Sequence, residues 1–318
     1  MDFTFTDEQT MMRRSLADYL AQHYGLEHRQ AVLRSAAGMS DKVWSQLKAM
    51  GLLAMPLPES IGGLGGTASD IVAVTELFGR HLVIEPYLSS IIFAGRALAR
   101  AKDCELASAW LRQIVTGDMR AALAHEESHG TAALHMISTT AHPDGEYYVI
   151  RGEKRLVLDG AGADIVVVTA RLTGDAFATL LVEPLTDGVT LTPYQTIDGR
   201  RAANIRFDQV RVSSAALLCA NASQSIQDIV NDAVLSLAAE AVGAMGALLD
   251  ATATYASTRT QFGVPITHFQ VIAHKIADMK LAYVKARSTL LYTTALVESG
   301  RADTRDYSLV KAQVGRLV

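Results

Sequence analysis

Arg259-Thr260-Gln261-Phe262-Gly263-Val264-Pro265-Ile266-Thr267-His268-Phe269-Gln270 is the stretch on which the fold turns. Upstream of it Val234, Leu237, Ala241, Met245, Leu248, Leu249, Thr252 and Tyr255 recur every three to four residues, the pattern of one amphipathic helix of roughly 30 residues. Gly263-Val264-Pro265 breaks that helix, and a second starts near His268. Arg259 thus stands at a helix end, where it can pair bidentately with a pyrophosphate or simply complement the helix dipole. Phe262 offers an aromatic face. Gln270 falls in the first turn of the next helix, where free amides hold anions.

Outward from this point, residues 222–318 read as a helical domain. Another helix starts near Asp306, and the apolar pattern is still running at Leu317-Val318, so a truncated domain is expected. Residues 119–221 differ in character. Tyr147-Tyr148-Val149-Ile150, Ile165-Val166-Val167-Val168 and Thr179-Leu180-Leu181-Val182 are strand candidates. Asp144-Gly145, Asp159-Gly160, Asp187-Gly188 and Asp198-Gly199 are turns between such runs. A small β barrel or sandwich is expected there. Residues 1–118 read as helical. Thr6 and Gln9 form a capping box, and Ser40 or Asp41 caps a helix that Gly51 stops. Pro56 to Gly66 is a loop, and a longer helix runs from about Ser69 to Gly79. The fold class is α+β, arranged helical, β, helical.

The 318 residues are 49% hydrophobic and 19% charged, which suits a folded chain with a sizeable core. The net charge of −4 carries no basic run, which argues against nucleic acid. Cys104 and Cys219 have no CxxC spacing, so neither a disulfide framework nor a cysteine metal site is expected. The N-terminus lacks the basic and apolar regions of a signal peptide. No apolar run reads as long enough to span a membrane. A reducing, cytoplasmic setting is the expectation.

The pattern R-x-Q-F-G-x-P-I-x-x-F-Q, with His274 and Ala277-Asp278-Met279 after it, resembles the third-domain motif of acyl-CoA dehydrogenases. Ala238-Ala239-Glu240-Ala241-Val242-Gly243-Ala244-Met245 is similar to the preceding helix of that family. So are the opening F-x-x-T-x-E-Q-x-x-x-R-R and the L-x-x-x-G-L-L-x-x-x-x-P-E-x-x-G-G-x-G-G loop from Leu47 to Gly66. Leu123-Ala124-His125-Glu126-Glu127 and the block from Lys154 to Ala161 resemble, in style, the small subunit of pimeloyl-CoA dehydrogenase and its heteromeric relatives in acid and steroid side-chain degradation. The resemblance spans essentially the whole chain.

It implies FAD between the β domain and the third domain. Arg259 and Phe262 match the pyrophosphate-end contacts and Gln270 the adenylate contact. Ala124 and His125 match the loop that touches the flavin ring, with His125 where the family carries Thr. A loop histidine bonded to backbone is the alternative for His125. Leu156 and Leu158 stand where family members place a Trp that packs the flavin and a Thr that bonds its ring, and leucine donates no hydrogen bond. The implied reaction takes a CoA thioester to the 2,3-enoyl-CoA and passes electrons to an electron-transfer flavoprotein.

That reaction needs a carboxylate to take the α-proton. In many relatives it is a Glu near the C-terminus, in a segment that this sequence lacks, and in others it lies early in the long third-domain helix, where this chain has Ala233. Asp232 is adjacent but about 100° around the helix. Glu240, two turns on, shares roughly one face with Ala233. Glu240 and Asp232 are the candidate bases, each with local pairing as the alternative. These departures imply a homo- or hetero-oligomer in which a second dehydrogenase subunit supplies the base. A non-catalytic scaffold subunit and a flavin oxidase or monooxygenase of the same fold are the alternatives. The acyl chain is not legible, although Arg80, His81 and Arg120 are cations that could meet a distal carboxylate. His125-Glu126-Glu127-Ser128-His129 matches H-E-x-x-H. On a strand its histidines stand roughly 13 Å apart, too far to share a metal, so no metal is expected.

Overall fold

The structure, a computed structural model, describes residues 5–101, 104–127, 134, 136–172 and 176–318. The first helices follow local chemistry. In α1 (Asp7–His23), Thr6 Oγ1 accepts from the Gln9 amide while Gln9 Oε1 accepts from the Thr6 amide, at 3.2 and 3.1 Å. After α2 (Leu26–Arg34), Ser40 caps α3 (Asp41–Ala49), and Gly51, at φ +74°, turns the chain out of it. The glycine-rich loop folds on its own backbone: Gly65 and Gly66 donate to the Leu57 and Met55 carbonyls at 2.8 and 2.7 Å. A Cβ on Gly63 would sit 2.2 Å from the Leu57 carbonyl oxygen, so this glycine serves a close backbone approach. Next comes α4 (Ala68–His81). Pro86 then opens a π-helix over Tyr87–Gly95, followed by α5 (Arg96–Ala99) and α6 (Glu105–Val115).

Among the described residues eight strands follow: β1 (Ala121–Ala124), β2 (Thr140–Asp144), β3 (Tyr147–Leu158), β4 (Ile165–Arg171), β5 (Phe177–Val182), β6 (Val189–Gln195), β7 (Arg201–Ser213) and β8 (Leu217–Cys219). They form one sheet in the order β6-β7-β3-β2-β4-β5-β8, with β1 parallel to β4 and most other pairs antiparallel. The four Asp-Gly pairs of the sequence lie at the turns. Strands β4 and β5 are buried on both faces, which is why they read as unbroken apolar runs. The chain then enters α7 (Ser223–Thr258), a short hairpin of β9 (Thr260–Gln261) and β10 (Val264–Pro265), α8 (Gln270–Glu298) and α9 (Thr304–Leu317).

These elements compact into two units that do not follow chain order. One gathers Met1–Arg29, Thr67–Val83 and Val234–Val318; the other comprises Gln30–Gly66 and Ile84–Ala233. The helical unit is built on Val72, Leu235, Ala239, Val242, Leu290, Val310 and Val314 from α4, α7, α8 and α9. There α4 and α7 meet backbone to backbone. A Cβ on Gly79 would lie 1.7 Å from the Glu240 carbonyl oxygen, and one on Gly243 would lie 1.8 Å from that of Glu76. Glu76 is buried and held by Arg13 and Arg287, each at 3.1 Å. By length and composition alone α7 is apolar enough to cross a membrane, which corrects the reading of the sequence. A helix in a folded core passes the same test, and Leu235, Ala239 and Val242 are buried in this one.

In the sheet unit, Trp44 Nε1 donates to the Gly117 carbonyl at 3.1 Å, tying α3 to the start of the β segment. Ser90 of the π-helix accepts from the Ala121 amide at 3.0 Å, tying that helix to β1.

Candidate functional site

In the sheet unit, β1 delivers Ala124 and His125 to its C-terminal end, paired to β4 through Ala124 and Val168. His125 Nδ1 lies 3.1 Å from Thr169 Oγ1, and its ring centroid is 5.8 Å from that of Phe177. The imidazole is therefore held by a side chain and packed on an aromatic, rather than left to backbone alone. Beneath it Lys154 is fully buried. Its Nζ donates to Glu127 Oε1 at 2.5 Å, to Thr169 Oγ1 at 2.9 Å and to the His125 carbonyl at 3.2 Å. Burial pushes the Lys154 ammonium down to about 8, against the pull of Glu127. Burial works to raise the Glu127 carboxyl, but Lys154 and the Ser138 amide outweigh it and leave it below its ordinary value.

This ion pair was not legible in the sequence. Lys154 sits in a strand, where a lysine ordinarily faces water, and Glu127 lies 27 residues away. The only available signal was Lys154 between two apolar stretches of one strand. The register of β3 against β7 shifts between Lys154 and Val157, and Leu156 takes φ +48° in that bulge. Its side chain is thereby half exposed, while Leu158 returns to the ladder opposite Ala202. Both leucines occupy defined places, but neither supplies a donor.

In the helical unit, Arg259, Phe262 and Gln270 are brought together by the hairpin. The Ile266 amide donates to the Arg259 carbonyl at 2.9 Å, and Val264 pairs with Gln261. Phe262 takes φ +53° at the tip, and its ring is 93% exposed. It meets Phe269 edge to face at 6.0 Å, which folds the hairpin onto the start of α8. No side chain caps α8, and Gln270 is its first residue. Arg259 is exposed and, among the described residues, has no carboxylate partner. A free guanidinium beside an uncapped helix N-terminus is a fitting seat for a pyrophosphate.

The candidate bases lie in α7, and its beginning belongs to the sheet unit. There Asp232 Oδ2 is gripped by Arg96 Nε at 2.8 Å and Arg100 Nη2 at 3.3 Å. Burial raises its carboxyl and the two arginines oppose the rise, so it sits above its ordinary value while remaining fully engaged. Ala233 is buried beside it. Glu240 is partly buried, its backbone is pressed against Gly79, and its side chain is not without partners. Of the cations considered for a distal carboxylate, Arg80 pairs with Asp250 at 2.8 Å. Burial and then Arg80 lower the His81 imidazole. Ser128 and His129 of the H-E-x-x-H string lie outside the described residues. Among the described residues no group of three or more His, Cys, Asp or Glu could hold a metal.

Three family profiles match this chain: acyl-CoA dehydrogenase N-terminal domain over residues 6–118, middle domain over 121–210 and C-terminal domain over 223–318. The chain is 28% identical over 325 residues to the probable acyl-CoA dehydrogenase YngJ of Bacillus subtilis (strain 168), covering 98% of this chain and 84% of that protein. It is 26% identical over 322 residues to the caffeyl-CoA reductase-Etf complex subunit CarC of Acetobacterium woodii, covering 96% and 84%. It superposes on a chain of the ChsE4-ChsE5 complex from Mycobacterium tuberculosis with a TM-score of 0.87 at 26% identity, covering 100% of this chain and 84% of that one. The arrangement of helical, β and helical segments and the three profiles agree: this chain belongs to the acyl-CoA dehydrogenase family, whose members are FAD-dependent oxidoreductases.

Proposed function

We propose that this chain is one subunit of a heteromeric acyl-CoA dehydrogenase that oxidises a CoA thioester to its 2,3-enoyl-CoA and passes the electrons to an electron-transfer flavoprotein. The observation that carries this reading is the hairpin at the start of α8. It leaves the Arg259 guanidinium and the uncapped start of α8 facing solvent, with the exposed Phe262 ring packed beside them on Phe269, a surface that suits the anionic end of FAD. When bound, FAD supplies the two-electron acceptor. The chain's own residues bind and orient. Arg259 meets negative charge, Phe262 offers a flat apolar cover, and His125, fixed by Thr169, presents a polar edge beside Ala124.

Proton removal is the step this reading assigns to a second subunit. Asp232 is closed off by two guanidinium groups, and Ala233 carries no acid. A base from a second subunit completes the reaction, in keeping with the two-protein complex among the similar structures.

A second reading has its own support. Leu156 and Leu158 give no hydrogen bond to a ring, as in a scaffold subunit that binds no flavin. The full chain, expressed alone and then with a second dehydrogenase subunit, separates the two. Flavin absorbance and acyl-CoA-dependent dye reduction are expected only from the co-expressed pair. Turnover by the lone chain contradicts the shared site. A pair that is colourless in this chain's share of the sites, with Arg259→Gln having no effect on flavin content, favours the scaffold.

A further inference from the structure

The sheet unit encloses a cavity of about 620 Å³, walled by the connection between α2 and α3, the start of β1, the turn after β3 and the facing ends of β6 and β7. Three arginines line it, Arg34, Arg120 and Arg201. None of the three has a carboxylate at ion-pair distance among the described residues. Arg201 is locked: its Nη2 donates to the Ser35 and Leu33 carbonyls at 2.6 and 3.0 Å. Gly38, at φ +67°, packs so tightly that a Cβ would fall 2.4 Å from Arg201 Nε. Arg120 is anchored by its amide, which donates to Asp164 Oδ2 at 2.8 Å, and its Nη1 rests 2.7 Å from the Met39 sulfur. A thioether is a weak acceptor, so that guanidinium keeps most of its hydrogen-bonding capacity.

The cavity has one acidic side chain, Asp159, which feels the charge of Arg120 and is also bonded to a serine. Its Oδ2 accepts from Ser89 Oγ at 2.5 Å, where the π-helix carries Ser89 against the turn. Gln195 adds an amide to the wall. Three arginines outnumber this single carboxyl, and an excess of like charge around a cleft is relieved by an arriving anion.

We propose that this cavity is an oxyanion site that takes the phosphate or carboxylate end of a small molecule. Arg34 and Arg120 are its direct ligands, and Arg201 is a fixed positive wall. The cavity holds none of Arg259, Phe262, Gln270, Ala124, His125, Leu156 and Leu158, and of its residues only Arg120 was weighed above as a substrate contact, so the inference does not rest on the proposed flavin site.

The test is titration calorimetry of the full chain with inorganic phosphate and, separately, with glutarate, at ionic strength matched with sodium chloride. Saturable binding of one ligand per chain is expected, weakened at least about tenfold in both Arg120→Gln and Arg34→Gln. Asp159→Asn, which removes the acidic wall, is expected to tighten it. Preference for phosphate or for glutarate identifies which anion the site was shaped for. Arg34 is exposed and its side chain makes no hydrogen bond among the described residues, so Arg34→Gln keeps the test valid where Arg120→Gln does not fold. Absence of saturable binding by either ligand overturns the proposal, as does binding unchanged in both arginine variants. A loss of binding in Arg259→Gln instead moves the anion to the α8 hairpin and overturns it equally.

Discussion

At the scale of single residues, two buried charges dominate. Lys154 and Glu127 compensate each other inside the β unit, and removing one member leaves the other stranded. Lys154→Met is expected to lower unfolding free energy by about 3–5 kcal/mol in a urea titration. The double variant Lys154→Met/Glu127→Gln is expected to recover more than half of that loss. Additive losses would show that the two charges are not coupled.

Asp159 is the opposite case, a carboxyl that burial pushes up to about 6 despite Ser89, Arg200 and Arg120. Between its ordinary value and about 6 the folded chain holds a proton that the unfolded chain has released. Stability from this group is therefore intact below that window and lost as pH rises through it. Asp159→Asn is expected to stabilise the protein at pH 7–8 by up to about 3 kcal/mol, a gain that fades toward pH 4. The residue's φ of +55° suits asparagine at least as well as aspartate. A melting-temperature difference that is flat from pH 4 to 8 would refute the assignment. Neither charge was readable from sequence, because burial of a charged residue is decided by partners that meet only in the fold.

At the scale of elements, the helix ends were legible where the cap is local: Thr6 with Gln9, Ser40, Gly51. The strands were found by their cores but cut short. Tyr147 to Ile150 was readable, whereas β3 runs on to Leu158 through Gly152, Lys154 and the bulge at Leu156, which break the alternation. The π-helix gave no signal, since Pro86 followed by an apolar run suits an ordinary helix as well. The motif around Gly243 was recognised by resemblance; its reason is physical, since α4 and α7 touch at Gly79 and Gly243. Gly243→Ala must force the two backbones apart and is expected to destabilise the helical unit by at least about 3 kcal/mol, read in a urea titration. A loss below about 1 kcal/mol would mean that the helices part easily.

The hairpin separates binding from folding. Phe262→Ala removes an exposed ring, so the melting temperature of the flavin-free chain should stay within about 1 °C. Flavin content of the assembled enzyme should fall severalfold, measured by absorbance per chain. A drop in both would make Phe262 a stability residue through its contact with Phe269.

At the scale of the whole molecule, the sequence conveyed three successive segments, and the compact units cut across them. The apolar periodicity that reveals α4 and α9 says nothing about which distant helix each will meet. The departures at Ala233, Leu156 and Leu158 are the residues on which the proposed second subunit rests.

Val72 and Val314 sit in one core, although nearly the whole polypeptide separates them. During synthesis, then, α1 and α4 emerge long before α8 and α9, while every residue of the sheet unit precedes them. Until α8 and α9 are made, the nascent chain carries a β unit already able to close and early helices that still wait with bare apolar faces, the interval in which a chaperone has most to shield.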